Sequence, residues 1–141
     1  MIPDPRVHSL MQRDVATVSP DATVGAVSRT LADRGFHHLP VVDGGRLVGI
    51  VTALDVARAS LERWVPDRET NEAWLEHVPV REVMSPLPEV LHPEDLLRVA
   101  AERLGDGAWH ALPVVDPVDH HLVGILTTTD LVRFLYTQLR G

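Results

Sequence analysis

Apolar positions along the chain alternate between two periods, and the order of alternation recurs. Val24, Val27 and Leu31 are spaced i, i+3, i+7, as are Leu97, Ala100 and Leu104, which puts each set on one face of a predicted helix. Two nearly continuous apolar runs follow each helix. In the first copy these are Leu39 to Val42 and Leu47 to Val51, joined by Asp43-Gly44-Gly45-Arg46, a strong hairpin signal between buried strands. A further helix is predicted from about Thr52, carrying Val56, Ala57 and Leu61, and another from about Thr127, carrying Leu131, Leu135 and Leu139. Ahead of each first helix, short extended pieces (Val15 to Val18; Glu89 to Leu91) run into Ser-Pro-Asp and His-Pro-Glu, which predict a turn and a helix start.

The recurrence is a duplication. LPVVD occurs at Leu39 to Asp43 and again at Leu112 to Asp116. At the same offset Val7 matches Val80, Met11 matches Met84, Pro20 matches Pro93, Leu31 matches Leu104, Asp33 matches Asp106 and His37 matches His110. Past the hairpin, two extra residues shift the register, and Leu47 to Ile50 recurs at Leu122 to Ile125, Thr52 at Thr127, Asp55 at Asp130 and Arg58 at Arg133. A hairpin turn is where such an insertion is best tolerated. The predicted fold class is therefore α/β (α+β), two β-α-β-β-α units packed sheet to sheet about a pseudo-two-fold axis. The boundaries are 1–61 for the first unit, 62–79 for a joint and 80–141 for the second. Trp64 and Trp74 in the joint are expected to be packing anchors.

Composition narrows the chemistry. Acidic residues outnumber basic ones 20 to 13, for a formal charge of −7, which opposes adhesion to nucleic acid or anionic lipid. Every basic residue is Arg, and there is no Cys, so Schiff-base lysines, thiolate nucleophiles and cysteine-held metals are excluded. The N-terminus carries no apolar run of signal or membrane-span length, and a soluble, cytoplasmic protein is expected. No GxSxG, HExxH, P-loop or dinucleotide-binding fingerprint is present.

Candidate chemistry concentrates in G-h-h-T-x-x-D, where h is apolar, at Gly49 to Asp55 and Gly124 to Asp130. The motif lies at a strand-to-helix junction. Thr followed three residues later by Asp is a variant of the capping box. The glycine inside an apolar strand signals close approach of a ligand or of another backbone. A helix N-terminus suits phosphate, and a carboxylate beside it can accept both hydroxyls of a ribose. The residues alone leave capping and nucleotide binding both open.

With LPVVD, hairpin, LVGI and T-x-x-D present twice, each copy preceded by V-x-x-h-M and a helix, the chain resembles the CBS domain over residues 7–61 and 80–139. The tandem pair resembles a Bateman module. That resemblance implies a non-enzymatic sensor that binds AMP, ADP, ATP, NAD or S-adenosylmethionine in clefts between the repeats, shifts conformation and signals to a regulated partner. It also implies a homodimer and no catalytic cofactor, while the net charge and the lack of a long apolar run lead us to expect no nucleic acid or membrane partner. It places ribose-binding carboxylates at Asp55 and Asp130, hydroxyls at Thr52 and Thr127 with Thr129 alongside, and adenine-lining residues at Ile50 and Ile125. Base and phosphate contacts fall on Phe36, His37 and His38 in one copy and on Trp109 and His110 in the other.

The copies differ there, because Ala111 stands where the first has His38. Phosphate capture at His37 and His38 is expected to strengthen below about pH 6.5, as imidazole gains charge. Arg58 and Arg133 are placed for i, i+3 pairs with the aspartates or for phosphate. The adjacent pairs His37-His38 and His120-His121 would point to opposite strand faces and do not converge on one ion. Two rivals stand beside the sensor: a ligand-free structural or dimerisation module, and a small metal-dependent hydrolase using His and Asp.

Overall fold

The structure is a computed structural model describing residues 4–86 and 89–140. The described chain forms two compact units, one of residues 4–15 with 89–140 and one of residues 16–86. The boundaries expected from the repeat (1–61, 62–79, 80–141) mark sequence copies, and the packing units exchange the opening segments of those copies. Backbone pairing is the reason. Gln12, from the start of the first copy, bridges to Ile125 of the second, and Ser85, from the start of the second, pairs with Ile50 of the first.

In the 16–86 unit, the Oγ1 of Thr23 accepts the Ala26 N–H at 3.1 Å and opens helix α1 (Val24–Arg34), which Gly35 closes at φ 65°. Strands β1 (His38–Asp43) and β2 (Arg46–Thr52) are antiparallel. Gly44 and Gly45 turn between them at φ 58° and 84°, positive values that a two-residue primed turn demands. Helix α2 (Ala53–Arg63) leaves directly from β2, and β3 (Ser85–Pro86) adds a third strand on the other edge of β2. Val27, Leu31, Leu39, Val41, Val51 and Val80 form the core.

Part of the expected joint is a helix, α3 (Arg68–His77). It lacks the apolar periodicity that would have announced it, and polar contacts support it instead. Arg68 and Glu72 pair at 2.7 Å, Arg29 of α1 pairs with Glu76 at 2.7 Å, and Asn71 bonds both the N–H and the carbonyl of Val65. Trp74 packs there, partly buried, with the Arg63 guanidinium 5.9 Å from its ring centre. Trp64 is 62% exposed and is not an anchor. The strand expected at Val15 to Val18 is reduced to one parallel bridge, Val18 to Val41, and that at Glu89 to Leu91 to the bridge Leu91 to Val114.

The other unit contains α4 (Leu97–Gly105), the hairpin β4 (Ala111–Val115) and β5 (Leu122–Thr127), and α5 (Thr128–Arg140). Its turn is longer. Asp116 Oδ1 accepts the Val118 N–H at 2.8 Å, and His120 adopts φ 63°. The N-terminal segment is sewn in by backbone bonds of 2.9 Å from Val7 N–H to the Asp95 carbonyl and from Leu97 N–H to the Pro5 carbonyl. Val7 and Met11 thereby join Leu91, Leu97, Ala100, Leu104, Leu112, Val114 and Leu126 in one core.

Candidate functional site at the strand-to-helix junctions

Both T-x-x-D motifs close as complete capping boxes. Thr52 Oγ1 accepts the Asp55 N–H at 3.0 Å, and Asp55 Oδ2 accepts the Thr52 N–H at 2.9 Å. Thr127 and Asp130 repeat the pair at 3.0 and 2.9 Å. Two orphan donors at each junction are satisfied, and such a cap is worth about 1 kcal/mol. Capping uses one oxygen of each carboxylate and leaves Oδ1 over.

The glycine signal belongs to the backbone. A Cβ on Gly49 would meet Met84 Sδ at 2.5 Å and the Ser85 carbonyl at 2.9 Å, and one on Gly124 would meet Met11 Sδ at 2.7 Å and the Gln12 carbonyl at 2.9 Å. Of the two occupants the sequence left open, the neighbour at these glycines is an exchanged opening segment. Met11 and Met84 fill the space a larger side chain would need.

Each junction gathers the residues ahead of LPVV. The His37 carbonyl accepts the Ala53 N–H at 3.0 Å, and the His110 carbonyl accepts the Thr128 N–H at 3.0 Å and its hydroxyl at 3.3 Å. His38 stands opposite Thr52 across the hairpin, and Ala111 opposite Thr127. The backbones of His37 and His110 are thus tied to the first turns of α2 and α5, and His38 is paired with the Thr52 cap. Phe36 lies at the surface with the Arg34 guanidinium 5.6 Å from its ring centre, whereas Trp109 is half-buried against the core of its unit. Thr129 is exposed. Ile50 and Ile125 are only 1% and 5% exposed. Their neighbours Val51 and Leu126 face the helical cores, so alternation directs these isoleucines to the opposite sheet face.

Burial and the neighbouring His37 hold the His38 imidazole below its usual pKa, because both disfavour the charged form. His38 therefore gains charge at lower pH than an unperturbed imidazole does, and any help it gives to phosphate capture sets in correspondingly later as pH falls. Among the described residues, no three His, Asp or Glu side chains are grouped to hold a metal ion, and no helix is long and apolar enough to cross a membrane.

The junctions differ at the leftover oxygen. Asp130 is 7% exposed, and its Oδ1 accepts the Gln12 amide at 2.9 Å with the Arg133 guanidinium 3.9 Å away. Asp55 is half-buried, and among the described residues no side chain donates to its Oδ1 and Arg58 forms no ion pair. The sequence reading missed Gln12 and also Thr128. The repeat alignment already carried the signal, since Gln12 occupies the position of Ser85. A cavity of about 260 Å³ also opens on Asp130, lined by Ser9, Leu10, Arg133, Phe134 and Thr137.

Comparison with known proteins places this geometry. A model of the CBS domain matches residues 7–62 and 80–137. An uncharacterized protein of Methanocaldococcus jannaschii is 31% identical over 135 residues, covering 91% of this chain and 46% of the relative. The chain spans less than half the length of the curated relatives it matches. Among solved structures, the CBS-pair protein CBSX2 of Arabidopsis thaliana, crystallised in complex with AMP, superposes with a TM-score of 0.79 at 27% identity, covering 96% of this chain and 98% of that one. The cytosolic domain of the Mg2+ channel MgtE, in complex with ATP, superposes with a TM-score of 0.72 at 25% identity, covering 93% and 49%.

Proposed function

Because the chain belongs to the CBS domain family, we propose that it is a regulatory module that binds an adenosine-containing ligand and reports occupancy to a partner protein. One observation carries this reading. The capping box at the start of α2 uses Asp55 Oδ2 and leaves Oδ1 without a protein donor among the described residues, so a carboxylate already held rigid has an acceptor to offer a ribose hydroxyl. AMP and ATP in the related structures support an adenine nucleotide.

In this reading Thr52 and Asp55 orient the ribose and the Phe36 ring is available to the base. His37, His38 and Arg58 lie where phosphate would be neutralised, assisted by the positive end of the α2 dipole. Asp130, Thr127, Thr129, Trp109 and His110 are the counterparts in the second copy, and Ile50 and Ile125 line the adenine in their respective copies. Binding regulates only if the ligand favours one conformation over another, and the module needs no catalytic group of its own. Val132, Leu135 and Leu139 form an exposed apolar stripe on α5, which supports a second copy of the chain as a further partner. Leu135→Glu should then shift sedimentation toward the monomer, and unchanged sedimentation removes the homodimer.

Titration calorimetry with AMP, ADP, ATP, NAD and S-adenosylmethionine tests the reading. Loss of a charge-assisted bond in Asp55→Ala should weaken binding by about 1.5–3 kcal/mol, or about ten- to a hundred-fold. Failure of every ligand to bind would leave the motifs as helix caps in a structural module. The completed capping boxes and the backbone-filled glycines are what favour that second reading.

A further inference from the structure

We propose that Gln12 is a built-in occupant of the second junction, its amide holding the Asp130 oxygen that a ligand hydroxyl would take, so that an adenosine ligand enters at Asp55 and reaches Asp130 only by displacing Gln12. The inference rests on the nucleotide reading above and divides its two sites.

The two carboxylates are as close to an internal control as one chain can provide. Their caps agree to within 0.1 Å, with 3.0 and 2.9 Å in both. The segments beside them share one register, Ser85 pairing with Ile50 where Gln12 bridges to Ile125. What differs is the side chain at that register. Serine ends at its hydroxyl, one bond beyond Cβ, whereas glutamine extends far enough to put Nε2 2.9 Å from Asp130 Oδ1. The backbone of Gln12 is fixed by two bonds of 2.9 Å to Ile125, through its own N–H and carbonyl, so its amide stays at high effective concentration beside the carboxylate. A ligand hydroxyl at Asp130 competes with a tethered amide donor for Oδ1, whereas at Asp55 it competes with solvent.

The block is competitive, because Gln12 itself is exposed and makes no other side-chain hydrogen bond among the described residues. Its amide can swing into solvent without unpacking the core.

The test uses the full chain with AMP as the probe, in titration calorimetry on the wild type, Gln12→Ser, Asp55→Asn, Asp130→Asn and Gln12→Ser combined with Asp130→Asn. Serine is the residue the other copy carries at this position, so the variant keeps the strand pairing. Asp55→Asn should weaken the wild-type binding event about ten- to a hundred-fold, the span of one charge-assisted hydrogen bond, and Asp130→Asn should weaken it by a much smaller factor. Gln12→Ser should add a second binding event that the Asp130→Asn combination removes. Wild-type binding that depends equally on both aspartates, or a Gln12→Ser protein with unchanged stoichiometry, overturns the inference and leaves the nucleotide reading standing. Absence of AMP binding to all five proteins overturns both. The side-chain amide resonances of Gln12 give a readout without ligand. They should move toward free-glutamine positions in Asp130→Asn, and unmoved resonances overturn the inference by themselves.

Discussion

Asp55 and Asp130 occupy the same place in two copies of one motif, and they face different surroundings. Both cap a helix, both follow a strand whose glycine is covered by a methionine, and both sit beside a histidine whose carbonyl meets the helix N-terminus. One retains an open acceptor, and the other is buried beneath a glutamine amide and near an arginine. Equivalence in a repeat is therefore equivalence of local hydrogen bonding. The function of the spare oxygen is set by the strand laid alongside, which comes from elsewhere in the chain.

The severest way to test what the copies share is to enlarge the glycines. Gly49→Val and Gly124→Val would each drive a side chain into a methionine sulfur and a carbonyl oxygen, at a cost of about 3 kcal/mol or more in denaturant unfolding, since overpacking against backbone has little room to relax. Similar losses at both positions would confirm the shared close approach. Tolerance at either would break the symmetry at its firmest point.

The aspartates separate next. Asp130→Ala removes a cap and the hydrogen bond from the exposed Gln12 amide, for about 2 kcal/mol of stability, whereas Asp55→Ala removes the cap alone, for about 1 kcal/mol. Thermal unfolding of the two variants should rank them in that order. Equal losses would mean the Gln12 bond contributes nothing measurable.

Smallest is the contrast between His38 and Ala111. His38 is held below its usual pKa, so below about pH 6.5 the unfolded chain binds more protons than the folded one and stability falls as pH is lowered toward the folded-state value. Replacing His38 with Ala, the residue of the second copy, should flatten the pH dependence of unfolding below about pH 6.5. An unchanged profile would assign the acid sensitivity to other groups.

Much of this was readable in the residues. The helix faces of Val24, Val27 and Leu31, the Gly44-Gly45 turn and the Thr52 cap depend on neighbours a few positions away, and periodicity and turn chemistry report them directly. Helix α3 escaped because ion pairs such as Arg29 with Glu76 support it in place of an apolar stripe. Trp64 was misjudged because an aromatic residue in a joint looks the same in sequence whether it packs or stays at the surface. The glycines were flagged for close approach, but what approaches them was not legible.

By itself, the sequence determined the duplication, the order of elements within each copy and the capping chemistry of T-x-x-D, all of them matters of short-range spacing. Only the tertiary structure decided which opening segment lies against which hairpin. That decision sets Gln12 against Asp130 across 118 positions of chain, and it leaves Ser85 in the same register beside Ile50, too short to do the same for Asp55. Strand pairing between distant segments is a choice among backbone partners that all present the same N–H and C=O groups, so local spacing carries no signal of it, and the difference between the two carboxylates appears only once the chain is folded.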